Sequence, residues 1–275
     1  GFSTKIPSFN PDDIKERLLM LLRDPDVTVP EMTPWYRGFK GHISKVETNK
    51  WLSYGKYEVI GNVIRITELP VGENIENYKQ FLEKLESEDR IVNFVNNSTD
   101  SSIYFDVKVK PETLNQWEYA GTLEKILKLT SNINATNMHI FDTRNQLIKV
   151  NTPEDILYSF YLARMDFVTK RKSYQIDKYE KELKVINSKI TFVESIMNDK
   201  LAVFKRKKND IVADLKKMKL YENPNYDYLL EMPIHTFTAE RLEKLKSEQK
   251  KKQEDYDIIQ NTSVSDMVRK DLEIF

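Results

Sequence analysis

The spacing of apolar positions in this chain changes along its length, and each change marks a different kind of element. After Asn10-Pro11-Asp12, Ile14, Leu18, Leu21 and Leu22 recur at helical spacing and predict a helix to about Arg23. Asp24 to Thr33 contains two prolines and reads as a loop. From Gly41 to Glu68 the pattern alternates, and Trp51, Tyr54, Tyr57, Val59, Val63, Ile64 and Ile66 give it the β-branched and aromatic character of strands. A helix follows at Ile75 to Leu85. Ile91 to Val95 and Ile103 to Val109 then read as a hairpin across the polar turn Asn96 to Ser102. Short helices at Pro111 to Gln116 and Leu123 to Leu127 precede a second strand pair, Met138 to Phe141 with Gln146 to Val150, and complete an α+β body over residues 1–150.

At Asn151 the pattern becomes helical. Thr152-Pro153-Glu154-Asp155 combines an N-cap residue, a proline at the first helical position and two early acids. Beyond it Ile176, Tyr179, Leu183, Ile186, Ile190, Val193 and Met197 alternate spacings of three and four, an apolar heptad seam. A helix from Pro153 to Met197 would extend about 65 Å at ~1.5 Å per residue. Leu242, Leu245, Tyr256 and Ile259 continue in the same phase, interrupted by Gln249 and Lys252. Two such helices in one chain close as an antiparallel hairpin. The expected fold is therefore α+β: a mixed α/β body at 1–150, an outgoing coiled-coil helix at 151–199, a small helical head at 200–235, a returning helix at 236–262 and a closing helix at 263–275. The head holds a short helix at Asn209 to Met218 and the cluster Tyr221, Tyr226, Tyr228, Leu229 and Leu230.

Composition narrows the chemistry. Lysine plus arginine equals aspartate plus glutamate at 43 each in 275 residues, so nucleic-acid contact would have to come from local patches. There is no cysteine, which excludes disulfides, thiolate metal sites and cysteine nucleophiles. No apolar run is long enough to span a bilayer and no signal peptide is visible, so a soluble, intracellular protein is expected. His42, His139 and His235 are far apart and lack ligand spacing to a carboxylate or to one another. His139 alternates with apolar neighbours like a structural strand residue. The acids Glu83, Glu86, Glu88 and Asp89 lack metal-site spacing, and neither a P-loop nor a dinucleotide glycine pattern occurs.

The stretch Thr33 to Ile43, TPWYRGFKGHI, is the densest in chemistry. Trp35, Tyr36 and Phe39 offer flat apolar surface, Arg37 and Lys40 positive charge, and Gly38 and Gly41 allow close backbone approach, a combination suited to a phosphate backbone. The stretch resembles the shoulder, or tower, of eukaryotic-type type IIA DNA topoisomerases, where Pro-Trp-aromatic-Arg-Gly-aromatic-x-Gly-x-Ile precedes a strand. GFSTKIPSFNP (Gly1 to Pro11), IRITELPVG (Ile64 to Gly72), KLTSNINATNMHIFD (Lys128 to Asp142), YDYLLEMPIHTFTAE (Tyr226 to Glu240) and SVSDMVRKDLEIF (Ser263 to Phe275) resemble the same family in the same order.

That resemblance implies a role. Ile43 matches the family's wedge, which enters between base pairs from the minor groove and bends the duplex. The residue-level alternative is a core-facing strand isoleucine. Arg37 and Lys40, with Lys5 and Lys45, would contact phosphates of double-stranded DNA. The family's nucleophilic tyrosine lies before the GFSTKIP segment, on a winged-helix domain, so none of the 14 tyrosines here is assigned that part. ATP and Mg²⁺ are implied for the full enzyme and neither for this chain, with upstream winged-helix and metal-binding domains as partners. The stalk and head would form the exit gate, or C-gate, of a homodimer, with Tyr221, Tyr226, Tyr228 and Leu229 as gate candidates. The basic runs Lys170-Arg171-Lys172 and Lys205-Arg206-Lys207-Lys208 read either as solvated faces or as guides for the transported duplex.

The short segment before Tyr226 and the lysine- and asparagine-rich sequence resemble the viral branch, that of large cytoplasmic DNA viruses such as African swine fever virus. Localisation would then be host cytoplasm, and the nucleus for a cellular protein. A bacterial gyrase is disfavoured by the ITELP and NMHIFD contexts. The rival from another class is a non-enzymatic coiled-coil tether or scaffold that presents a stalk to a protein partner.

Overall fold

The computed structural model describes residues 4–99 and 101–274, so Gly1 to Ser3 and Phe275 of the terminal family-like segments lie outside the described residues. It divides into two compact units between Leu162 and Ala163.

The first unit opens with α1 (Pro11–Arg23), whose N-cap Asn10 accepts the Asp12 amide and whose apolar face buries Leu18, Leu21 and Leu22. Nine short strands follow among the described residues. In the first sheet β1 (His42–Glu47) pairs with β2 (Lys50–Tyr54), and β2 pairs with β7 (Thr130–Asn134), both antiparallel. The second sheet has the order β3 (Lys56–Ile60), β4 (Val63–Glu68), β6 (Phe105–Lys108), β5 (Asn93–Asn96). A hairpin of β8 (Met138–Phe141) and β9 (Leu147–Val150) completes the set. The predicted helices appear as α2 (Ile75–Ser87), α3 (Pro111–Tyr119) and α4 (Leu123–Ile126).

β7 is the element the periodicity misses. Its sequence, TSNIN, buries only Ile133 and has no alternation strong enough to read. It is a strand because β2 supplies a ladder from Lys50 opposite Asn134 to Tyr54 opposite Thr130.

α2 covers the inner face of the second sheet. Ile64, Ile66, Phe105 and Val107 alternate inward from β4 and β6 onto Tyr78, Leu82 and Leu85. Tyr78 is fully buried, yet its hydroxyl donates to the Leu127 carbonyl at 2.7 Å, so the ring fills the core without leaving a polar atom stranded. A second cluster, Trp51, Ile133, Ala135, Met138 and Val150, joins the first sheet to the β8–β9 hairpin.

The long helix α5 (Pro153–Met197) starts as its sequence predicts. Thr152 Oγ1 accepts the Asp155 amide, and Asp155 Oδ2 accepts the amides of Asn151 and Thr152. Ile156, in its first turn, packs on the Trp51 cluster, so the compact unit extends past Asn151 into the helix.

In the second unit α5 pairs with α8 (Ala239–Asn261), and the contacts fix the direction. Lys246 meets Glu194 at 2.7 Å, Gln249 meets Asn187 at 2.9 Å, Lys252 pairs with Glu182, and Tyr256 reaches Glu180 at 3.0 Å. Numbers rise on one helix as they fall on the other, so the pair is antiparallel. Leu183, Ile186, Ile190 and Val193 form the seam against Leu245. Met197 does not join it. That side chain is mostly outside the seam because the helix ends there.

Between them lies the head, with α6 (Lys208–Lys217), α7 (Asp227–Leu230) and a 3₁₀ turn at Ile234–Thr236. Phe192, Leu201, Ile211, Leu215, Leu220, Tyr226 and Leu229 form its core. The closing helix is α9 (Val264–Ile274). Among the described residues no helix is long and apolar enough to cross a membrane.

Candidate nucleic-acid interface

The TPWYRGFKGHI stretch folds into a turn followed by the edge strand β1. The Phe39 amide donates to the Tyr36 carbonyl at 3.1 Å, and Gly38 sits at φ +81°, which closes a turn with Arg37 at its exposed tip. The Arg37 guanidinium carbon lies 5.9 Å from the centre of the Trp35 ring. Trp35 is itself held, its amide donating to Ser8 O at 2.8 Å beside the Phe9–Pro34 bridge. This N-terminal strand of contacts also places Lys5, whose amide donates to Asn137 O at 2.9 Å, with its side chain exposed.

The turn is one wall of an open cleft of about 470 Å³. Its opposite wall runs from Thr67 at the end of β4 to Ile75 at the start of α2, with Thr99 and Ser101 to Ile103 beside it, and both Arg37 and Lys40 line the cleft. Glu68 joins the walls, one carboxylate oxygen accepting the Lys40 amide at 3.1 Å and the other the Leu69 amide at 3.2 Å. Val71 is pinned at both backbone groups. Ser53 Oγ accepts its amide at 2.9 Å, and Ser131 Oγ donates to its carbonyl at 2.6 Å. Ser53 is wholly buried in β2, and Ser131 lies in β7, the strand without a sequence signal. Burial raises the Tyr36 phenol above its ordinary range, so that ring stays neutral beside the cationic turn.

Gly41 has no room for a side chain. A Cβ there would overlap the Tyr54 carbonyl oxygen and the Phe39 ring. Gly41→Ala should therefore lower the chain's stability by about 3 kcal/mol, because the obstacle is backbone that the β1–β2 ladder holds in place. Urea unfolding of the two chains checks this, and equal midpoints would show that the turn can shift freely.

Ile43 lies in β1 opposite Ser53, half-buried against the Trp51 cluster with Tyr36. His42 stacks on its cross-strand partner Tyr54, ring centres 4.3 Å apart, at the start of the same hairpin. Arg37 and Lys40 are thus gathered at one cleft, with Ile43 on the strand that follows. Lys45 is different: it is exposed but paired with Glu31.

The head rearranges the gate candidates. Of the gate candidates, Tyr226 and Leu229 are only 4% and 1% exposed and belong to the head's own core. The Tyr226 hydroxyl donates to Leu220 O at 3.1 Å. That of Tyr228 donates to Tyr221 O at 2.6 Å, so three of the aromatics brace one loop. The apolar side chains that the head does expose are Phe204 and Ile234, 71% and 77% accessible, on the rim of a cleft of about 390 Å³ that Val203, Met232 and Phe237 also line. Neither stood out in the sequence, since each sits in a short apolar stretch, Leu201 to Phe204 and Met232 to Ile234, whose other members turn inward or are small.

The 170–172 run is engaged throughout, and the head's run at two of its four residues. Arg206 pairs with Asp214 at 2.8 Å and Lys208 with Asp227 at 2.6 Å, and hydrogen bonds from these cations hold both carboxylates below their usual range. Lys170 pairs with Asp166, Arg171 with Asp271, and Lys172 donates to Gln260 O and Thr262 O at the end of α8. Arg164 shares Asp271 at 2.6 Å, so the 170–172 run fastens α8 and α9 to α5. Among the described residues no three His, Asp or Glu side chains gather as a set able to hold a metal ion.

Comparison with known proteins matches this architecture. Residues 1–273 fit the family model of the DNA gyrase/topoisomerase IV A subunit. DNA topoisomerase 2 of Plasmodium falciparum is 34% identical over 99% of this chain, that of Pisum sativum 30% over 100%, and that of Acanthamoeba polyphaga mimivirus 27% over 100%. The chain spans 22% of the length of the first two and 27% of the third. The solved Plasmodium falciparum topoisomerase II DNA-binding, cleavage and re-ligation domain superposes with a TM-score of 0.80 at 32% identity, over 99% of this chain and 41% of that one. On a family match that runs almost end to end, the chain belongs to the family of the DNA gyrase/topoisomerase IV A subunit, the type IIA DNA topoisomerases.

Proposed function

We propose that this chain is the DNA-bending and exit-gate part of an ATP-dependent type IIA topoisomerase, which passes one duplex through a transient break in another. The observation that carries the reading is the exposed turn with Arg37 at its tip and Lys40 beside it, set just before the edge strand bearing Ile43. Two cations on a rigid turn contact phosphates, and an apolar side chain on the neighbouring strand wedges a base step. Unstacking a step costs a few kcal/mol, and the bent duplex offsets this with further backbone contacts. ATP, Mg²⁺ and the nucleophilic tyrosine belong, in this reading, to upstream domains of the same enzyme.

The head holds two such chains together at the exit gate through the exposed Phe204 and Ile234, which stand beside a mainly apolar cleft that Arg206 and Lys208 also line. Each copy offers both a projection and a hollow, as a twofold interface requires.

Arg37→Ala and Lys40→Ala should each weaken binding of any duplex sequence alike. Each should also reduce the slope of log K against log salt by about 0.9, the loss of one phosphate contact. Fluorescence anisotropy over a salt series measures it. An unchanged slope in both variants would mean that the turn does not face the backbone of DNA, and would favour the tether reading.

A further inference from the structure

From Asp24 to Thr33 the chain forms neither helix nor strand, yet it leads directly into the cationic turn. Two side chains distant in sequence hold it. From α1, Arg17 donates through Nε to Pro30 O at 2.7 Å and through Nη2 to Glu31 O at 2.8 Å, while Nη1 stays on its own helix at Asp13 O, 2.9 Å. From the first turn of α5, a Glu154 carboxylate oxygen accepts the amide of buried Met32 at 2.6 Å. Three consecutive residues, 30 to 32, are therefore fixed by charged side chains from two helices. Both of those side chains belong to half-buried residues.

The same end of α5 also reaches the hairpin that bears Ile43. Asn49, in the β1–β2 turn at φ +59°, donates its side-chain amide to Asn151 O at 2.5 Å. Asn151 is itself held by the Asp155 carboxylate, part of the helix cap. One helical turn thus touches the lead-in to the cationic turn on one side and the tip of the wedge hairpin on the other.

We propose that Arg17 and Glu154 are positioning residues for DNA bending. Neither faces DNA. They act through the backbone of residues 30–32, and the start of α5 ties the phosphate-binding turn to the wedge hairpin so that the two act as one unit. The inference rests on the DNA-bending reading above. Side-chain chemistry makes it specific: the planar guanidinium serves two successive carbonyls at once, which a lysine ammonium does not reproduce. Glutamine at 154 keeps an acceptor oxygen where alanine has none.

The test uses the 275-residue chain and a duplex labelled at both ends with an energy-transfer pair. It compares Glu154→Ala, Glu154→Gln and Arg17→Lys, with Arg37→Ala as the reference for DNA contact. Hydrogen exchange is followed by mass spectrometry in the peptide covering residues 30–41 and, as a control, in α2. Glu154→Ala should speed exchange in 30–41 by roughly tenfold and leave α2 unchanged, since only the local opening is eased. It should also reduce the bent fraction of bound duplex by roughly fivefold, with Glu154→Gln returning both close to the parent because an acceptor is restored. Arg17→Lys should follow the alanine variant.

Normal exchange and normal bending in Glu154→Ala, with Arg37→Ala still weakening binding, would overturn the positioning role alone. Faster exchange with normal bending would overturn it too, since the loop would then be braced for stability only. If Arg37→Ala leaves binding unchanged, the DNA reading itself fails and takes this inference with it.

Discussion

Replacing Phe204 and Ile234 together by aspartate should turn a dimer of this chain into a monomer. Both side chains are exposed on a head whose other large apolar groups are buried or half-buried, and they border the hollow lined by Val203, Met232 and Phe237. An apolar anchor at the centre of an interface is worth about 2 kcal/mol. Each substitution is present in both copies of a twofold dimer, so four anchors give way to carboxylates and association should weaken by much more than about a thousandfold. Sedimentation equilibrium on the parent and the double variant measures this. The variant should keep its helical content, because neither residue belongs to the head core of Leu215, Tyr226 and Leu229. A parent chain that stays monomeric at high micromolar concentration would remove the gate reading and favour a tether. A double variant that still dimerises would place the contact elsewhere on the chain.

Ile43→Ala is the second large effect, and it falls on DNA shape more than on affinity. The side chain is half-buried, so truncation costs about 1 kcal/mol of stability against the Trp51 cluster, less than a fully buried isoleucine would. As a wedge its loss should be greater. Without an apolar group to enter the step, the few kcal/mol of unstacking goes uncompensated, and the bent fraction of bound duplex should fall by roughly tenfold or more. Energy transfer across an end-labelled duplex reports the bend, and anisotropy reports binding. Affinity should change little by comparison, since Arg37 and Lys40 are untouched. Ile43→Met, which keeps a long apolar side chain, should retain most of the bend. If the alanine variant bends DNA normally, Ile43 is an ordinary strand residue.

Much of this architecture was legible because it is written in local period. The α1 cap at Asn10, the alternation across β2 and β4, and the capped start of α5 need only neighbouring residues to be read. β7 was not legible, since TSNIN is polar and becomes a strand only through pairing with β2 some eighty positions earlier. The candidate interface divided in the same way. The turn at Arg37 and Gly38 is carried by its own sequence. Its supports, Ser53, Ser131, Arg17 and Glu154, are ordinary residues that matter through contacts far along the chain.

Charge misled for a related reason. A run such as Lys170-Arg171-Lys172 looks available on paper, while its partners Asp271 and the carbonyls of Gln260 and Thr262 lie about a hundred positions away. The aromatics of the head show the opposite case. Tyr226 and Leu229 cluster in sequence because they fill one small core, and which side chains the head leaves exposed is set by how that core closes.

The pairing of α5 with α8 joins an apolar seam, Leu183, Ile186, Ile190 and Val193 against Leu245, to a row of polar rungs: Glu194 with Lys246, Asn187 with Gln249, Glu182 with Lys252 and Glu180 with Tyr256. On α8 only Leu245 is fully buried. Each such exposed or half-exposed rung contributes at most about 1 kcal/mol and weakens as ions screen it. A strut built this way yields differently from an oily one. Its seam keeps the helices joined at any salt concentration, while the rungs beside it loosen as ionic strength rises. Salt therefore tunes how freely the two helices flex against each other without parting them.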